Sequence, residues 1–200
     1  MPLRTFATAL LLSLSAISAQ PPLPELRTEP TTGGSIFNIR NVASQPLTAF
    51  LIELVNYPGS SYSLWQDEIA AEPILPGVEK RLPVSNMTVG AVPGYVKIQA
   101  AIYADGSSSG IPEKIAQFIE RRRSVLETTR ELIHRLEKGQ SATDLKQWAD
   151  SLQPPGKSKG TITQIAARTL IAETAAHFDD ATLPRLRASE RALAASKPAL

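Results

Sequence analysis

An α+β protein is predicted, strands first and helices second, by three features of the chain. Apolar residues alternate with a period of two in the first half, and they follow three-and-four spacing from Pro112 onward. The two regimes meet at a single Gly/Ser-rich turn, "DGSSSG". No helical stretch separates the early strands, which favours antiparallel pairing over a parallel doubly wound sheet.

The first 19 residues read as a signal peptide. "MPLR" carries one cation, and "FATALLLSLSAISA" is an apolar run too short to span a bilayer as a helix. Cleavage after Ala19 leaves Gln20 as the first mature residue; cleavage after Ser18, with Ala16 three back, is the competing site. The chain has no cysteine, so an exported protein must be stable through its core alone, without disulfides, thiolate metal sites or a cysteine nucleophile. The signal and the missing cysteines together look bacterial and place the protein in the periplasm or outside the cell. No second apolar segment predicts a transmembrane span in the mature chain.

Residues 20–34, "QPPLPELRTEPTTGG", are proline-rich without a period and read as an extended linker. A β-sandwich is expected over 35–105. "SIFNIRNV" aligns Phe37 with Ile39, and "PLTAFLIELV" aligns Phe50, Ile52 and Leu54, with Thr48 in phase. "VEKRLPV" turns Leu82 and Val84 inward, and Pro83 assigns it to a sheet edge because proline cannot donate to a ladder. "YVKIQAAIY" sets Val96, Ile98, Ala100 and Ile102 on one face and Lys97, Gln99 and Tyr103 on the other. Pro-Gly and Asp-Gly pairs punctuate these runs, as in antiparallel sandwiches.

The helical region is expected over 111–196, with helices at about 112–138, 143–152, 161–180 and 183–196, forming a hairpin or small bundle. Pro112 and Glu113 suit a first helical turn, and Gly139 suits a C-terminal stop. Thr143 and Thr161 are candidate starts for the next two helices, and the tail "SKPAL" is expected to fray. A first helix of this length exceeds what a small sandwich needs as cover, and the helices either pack against the sandwich or project from it.

Charge narrows the function. The net charge of +2 is too weak for a nucleic-acid reader. It is also uneven: residues 21–105 hold eight acidic and five basic side chains, and residues 106–200 hold eleven and fifteen. "ERRRS" is the densest basic run. Arg121, Arg122 and Arg123 could grip an anionic partner, or the run is a solvated helix face paired with Glu120 and Glu127. Arg122 differs from its neighbours because it falls on the apolar stripe, which predicts a place at the junction of strands and helix, meeting an acid from the strand half. "NYPGSSYSLWQDE" gathers Tyr57, Tyr62 and Trp65, which form either a recognition surface or a cap on the core.

Gly106, Ser108 and Gly110 fit the hydrolase pattern G-x-S-x-G, and Asp144 or Asp150 and then His177 follow in the required order. A nucleophile elbow, however, needs a central parallel strand and a helix starting directly behind the serine. Here Pro112 holds Ile111 out of helical conformation, and no glycine-rich oxyanion loop precedes the motif. The simpler reading is a connection in which Asp105 and the serines satisfy turn backbone groups. His134 and His177 show no metal-ligand spacing and read as surface residues. The acids Asp67, Glu68, Glu72 and Asp105 match no calcium loop. "GKS" at 156–158 lacks the first glycine of a phosphate loop. Asn86-Met87-Thr88 is a sequon with meaning only in a eukaryotic secretory route. No metal or cofactor is therefore expected.

Two phrases carry a resemblance. Asn41, Ser44, Pro46, Leu47 and Ala49 lead an early strand, and Asp105-Gly106 closes a strand before a long helix. Over residues 34–138 this resembles small immunoglobulin-like sandwiches of uncharacterised exported bacterial proteins. The resemblance implies an immunoglobulin/fibronectin-like β-sandwich followed by a long helix, with no activity and no catalytic residue to carry over. The expectation is a non-enzymatic module that binds an envelope or extracellular macromolecule, a protein first of all, through the aromatic loop or the long helix. That helix also offers a route to homo-oligomers. The alternatives are a small serine hydrolase with Ser108, Asp150 and His177, and a structural spacer.

Overall fold

A computed structural model describes residues 20–58, 61–67, 72–85, 94–154 and 160–200. The signal segment, Glu68, the sequon and "GKS" lie outside these residues. Among the described residues, seven strands form two antiparallel sheets, followed by four helices. In sheet one, β2 (Gly34–Arg40) lies between β1 (Glu25–Thr31) and β5 (Glu79–Ser85). Sheet two has the order β4 (Ser63–Asp67), β3 (Leu47–Leu54), β6 (Val96–Tyr103), β7 (Ser108–Gly110). The sheets share a core in which Phe37 and Ile39 meet Leu47, Phe50, Ile52, Val96, Ile98, Ala101 and Tyr103. Pro83 does sit on a sheet edge, with Leu82 and Val84 turned to this core.

Seven residues of the segment expected to be a linker form β1, paired with β2 over its whole length. Only Leu26 of β1 packs on the core, and this edge strand is held chiefly by its ladder and by cross-strand pairs such as Arg40–Glu25. The chain before it is also anchored. Ser109 Oγ donates to the Pro21 carbonyl and Tyr103 Oη to the Pro22 carbonyl.

The expected phasing of β3 and β6 fails at two places. Their pairing slips between Leu47 and Ala49, where Thr48 is the extra residue, and between Leu51 and Ile52, where Gln99 is. Each bulge moves the following side chains to the opposite face. Val96 and Ile98 thus share the inter-sheet core with Ala101 and Tyr103, whereas Ala100 and Ile102 join Ala49 and Leu51 on the far side. That far side is not wet, because it is covered by helix α1 (Pro112–Glu137).

At 26 residues α1 is about 39 Å long. Its first half lays Ile115, Phe118 and Ile119 on sheet two, with Trp65 against Phe118 at 4.7 Å between ring centroids. Its second half supplies Leu132, Ile133 and Leu136 to a separate core with Leu145 and Ala149 of α2 (Ala142–Ser151), Ile171 of α3 (Ile162–Ala176) and Leu186 of α4 (Thr182–Ala194). One helix therefore serves two cores, which accounts for its length. α3 begins at Thr161 as expected, in a reciprocal cap with Gln164, but α2 is capped by Ser141 with Asp144, not by Thr143. Among the described residues no helix is long and apolar enough to cross a membrane.

Candidate functional site

The sheets and helices do not close completely on each other. An open cleft of about 1060 Å³ remains at their seam, bounded by β4, by the Lys114, Gln117, Arg121 and Val125 stripe of α1, by Ile162, Ile165, Ala166, Leu170 and Glu173 of α3, and by Leu186, Ser189 and Leu193 of α4. Helical spacing explains the α1 stripe: these residues are three and four apart and so share a face. α3 contributes more apolar surface than its core uses. Only Ala166 and Ile171 are buried, while Ile165 is 45% exposed in the cleft wall.

The polar groups at the cleft divide into paired and unpaired. Lys114 Nζ lies 2.9 Å from Glu53 Oε1, which also accepts from Ser63 Oγ at 2.9 Å. Arg122 is wholly buried behind the wall. Its Nε and Nη2 donate to the two Asp67 carboxylate oxygens at 2.7 and 3.0 Å, Nη2 donates also to Thr48 Oγ1 at 3.3 Å, and Nη1 to the Lys197 carbonyl at 3.2 Å. The expected junction with an acid from the strand half is thus present. The Thr48 bulge presents the hydroxyl that helps complete it. The C-terminal tail does not fray: Lys197 closes over the buried guanidinium.

Arg121 is the contrast. One step round the helix from Arg122, it faces the cleft, half-buried, and makes no hydrogen bond or ion pair among the described residues. Burial lowers its pKa, Arg122 acts in the same direction, and the fields of Asp67 and Glu173 oppose both. Both Asp67 carboxylate oxygens already accept from Arg122.

Of the residues expected to bind, Tyr62, Trp65 and Arg121 line the cleft. Tyr57 stacks edge-on with Tyr95 at 5.3 Å, Arg122 is structural, and Arg123 is exposed. Tyr62 and Trp65 cap two different cores, Tyr62 beside Phe37 and Trp65 beside Phe118. The contributions of Lys114, Gln117, Ile165, Glu173 and α4 were missed. The available signal was the surplus of apolar residues on α3, found all round the helix and not on one stripe.

The serine motif has a structural explanation. Ser108 lies in β7, paired antiparallel with Ile102 of β6, so the strand before the motif has antiparallel neighbours on both sides. Gly106 has φ +91° where the chain turns, and Gly110 has φ +106° with the Gln99 carbonyl oxygen where a Cβ would stand. Both glycines are thus required by the backbone. Asp105 accepts from the Ser107 amide and hydroxyl, and these bonds hold its carboxyl below the usual range. Asp150 pairs with Lys146, and the His177 ring meets the Glu173 carbonyl at the end of α3. Among the described residues, no hydrogen bond joins either of them to Ser108. His134 is exposed on α1, and no group of three potential metal ligands occurs among the described residues. Comparison with family models, with curated proteins and with solved structures gives no match.

Proposed function

We propose that the protein is an exported, non-enzymatic binding module. Its two sheets make an immunoglobulin/fibronectin-like sandwich, and its seam cleft holds part of another macromolecule of the cell envelope. The cleft itself carries this reading. Its volume is at the upper edge of the roughly 300–1,000 Å³ typical of small-ligand pockets. Its walls combine aliphatic side chains, Tyr62 and Trp65 with a few fixed polar groups, the mixture found at protein contact surfaces. Glu53, Asp67 and Glu173 stand among its lining residues against Lys114 and Arg121, so it lacks the single-sign basic field that a nucleic acid needs.

The test is capture of envelope proteins by wild type and by Ile165→Glu. The substitution places a charge in the cleft at an exposed position, so unfolding free energy should stay within about 0.5 kcal/mol. Loss of a captured protein at unchanged stability supports the reading. An identical set of captured proteins for both forms contradicts it.

A further inference from the structure

The cleft borders a free sheet edge, and this narrows what fits there. Sheet two ends at β4, which pairs with β3 on one side; among the described residues no strand lies on the other. The Leu54 amide donates to the Tyr62 carbonyl at 3.1 Å, and the β3–β4 register runs on from that bond without a shift. Alternation along an antiparallel ladder then turns the backbone N–H and C=O groups of Ser63 and Trp65 away from β3, toward the open edge. Such groups bind a further strand, with pockets beside the edge selecting its side chains. Arg121 adds a second requirement. A guanidinium offers five N–H donors in a fork that matches a carboxylate, and here none has a hydrogen-bond partner among the described residues.

On the reading of the cleft as a binding site, we infer that its occupant is an extended polypeptide segment. The segment adds as a strand to the open edge of β4 and places a carboxylate on Arg121. Apolar side chains of the segment meet Trp65, Ile165 and Leu193. An added strand matching the five residues of β4 is about 17 Å long. The carboxylate is either the segment's C-terminus or an internal Asp or Glu, and the two sources can be separated by experiment.

A random octapeptide library is panned on the protein in two formats, one with free C-termini and one embedded as internal segments. Enrichment is expected in the first format alone if the C-terminus is read, and in the second format, with Asp or Glu at one fixed position, if an acidic side chain is. A selected peptide should bind Arg121→Gln at least tenfold more weakly, and the exposed control Arg81→Gln unchanged. Arg121→Lys serves as the second variant if the glutamine form does not fold, and it should bind between the two. N-methylation of the peptide backbone at alternate residues should abolish binding in one phase and not in the other. The inference is overturned by no enrichment, by enriched internal segments without Asp or Glu at a fixed position, by indifference to Arg121, or by tolerance of N-methyl groups in both phases. Peptides that ignore Arg121 but are lost on Ile165→Glu would leave the cleft as a binding site and remove this inference alone.

Discussion

The strand half and the helical half bury their residues in different ways. In the first, β3 and β6 are covered on both faces, by sheet one on one side and by α1 on the other, and two bulges distribute their side chains between two cores. In the second, a single core is shared by four helices, and α3 and α4 together bury only Ala166, Ile171, Thr182, Leu186 and Leu193. The difference shows why the cleft lies at the seam. The faces of β3 and β6 are taken up by two cores, so sheet two meets the cleft chiefly along its β4 edge, whereas helices closed on one core still present an apolar flank to that edge.

The comparison breaks most readily at Arg122, which ties β4, β3 and the C-terminal tail to α1. Replacing it with methionine leaves Asp67 charged without its main partner, so the loss in chemical denaturation should be about 3–5 kcal/mol. Adding Asp67→Leu should recover most of that loss, because a well-packed apolar pair can replace a buried ion pair. Equal instability of the single and double variants would mean that Thr48 and Lys197 matter more than the pair.

Alkaline titration separates the halves next, since all four tyrosines lie in the strand half. Burial raises the Tyr103 pKa from the usual 10 to about 12, against a smaller opposing effect of Ser109. The fold favours the neutral phenol, so this contribution is complete below pH 10 and is lost as pH rises from 10 to about 12. Burial shifts Tyr62 in the same direction. Tyr103→Phe should flatten the fall in stability over that window, and an unchanged slope would contradict the assignment. The smallest effect belongs to the helical half. Ser141→Ala removes the α2 cap at a cost of about 1 kcal/mol, seen as a lower denaturation midpoint.

Much of this arrangement is legible in the sequence. The change of period at "DGSSSG" marked where strands hand over to helix. Arg122 announced its place because a cation on an apolar stripe needs a buried acid. The bulges were hidden because one extra residue leaves the composition of a strand unchanged while reversing its faces. β1 was hidden because an edge strand with a single core contact, Leu26, shows no alternation. The cleft was the least legible feature, since Lys114, Gln117 and Ile165 look like ordinary helix surface until β4 and α4 stand opposite them.

The central claim is that the seam cleft, and not the outer face of sheet one, contacts a macromolecule. Site-specific photocrosslinking in living cells tests it directly, with the crosslinker at Gln117 in the cleft or at Arg81 on sheet one. A discrete adduct from position 117 that is absent from position 81 and disappears in Ile165→Glu is the predicted result. No adduct from position 117, or the same adducts from both positions, would contradict the account.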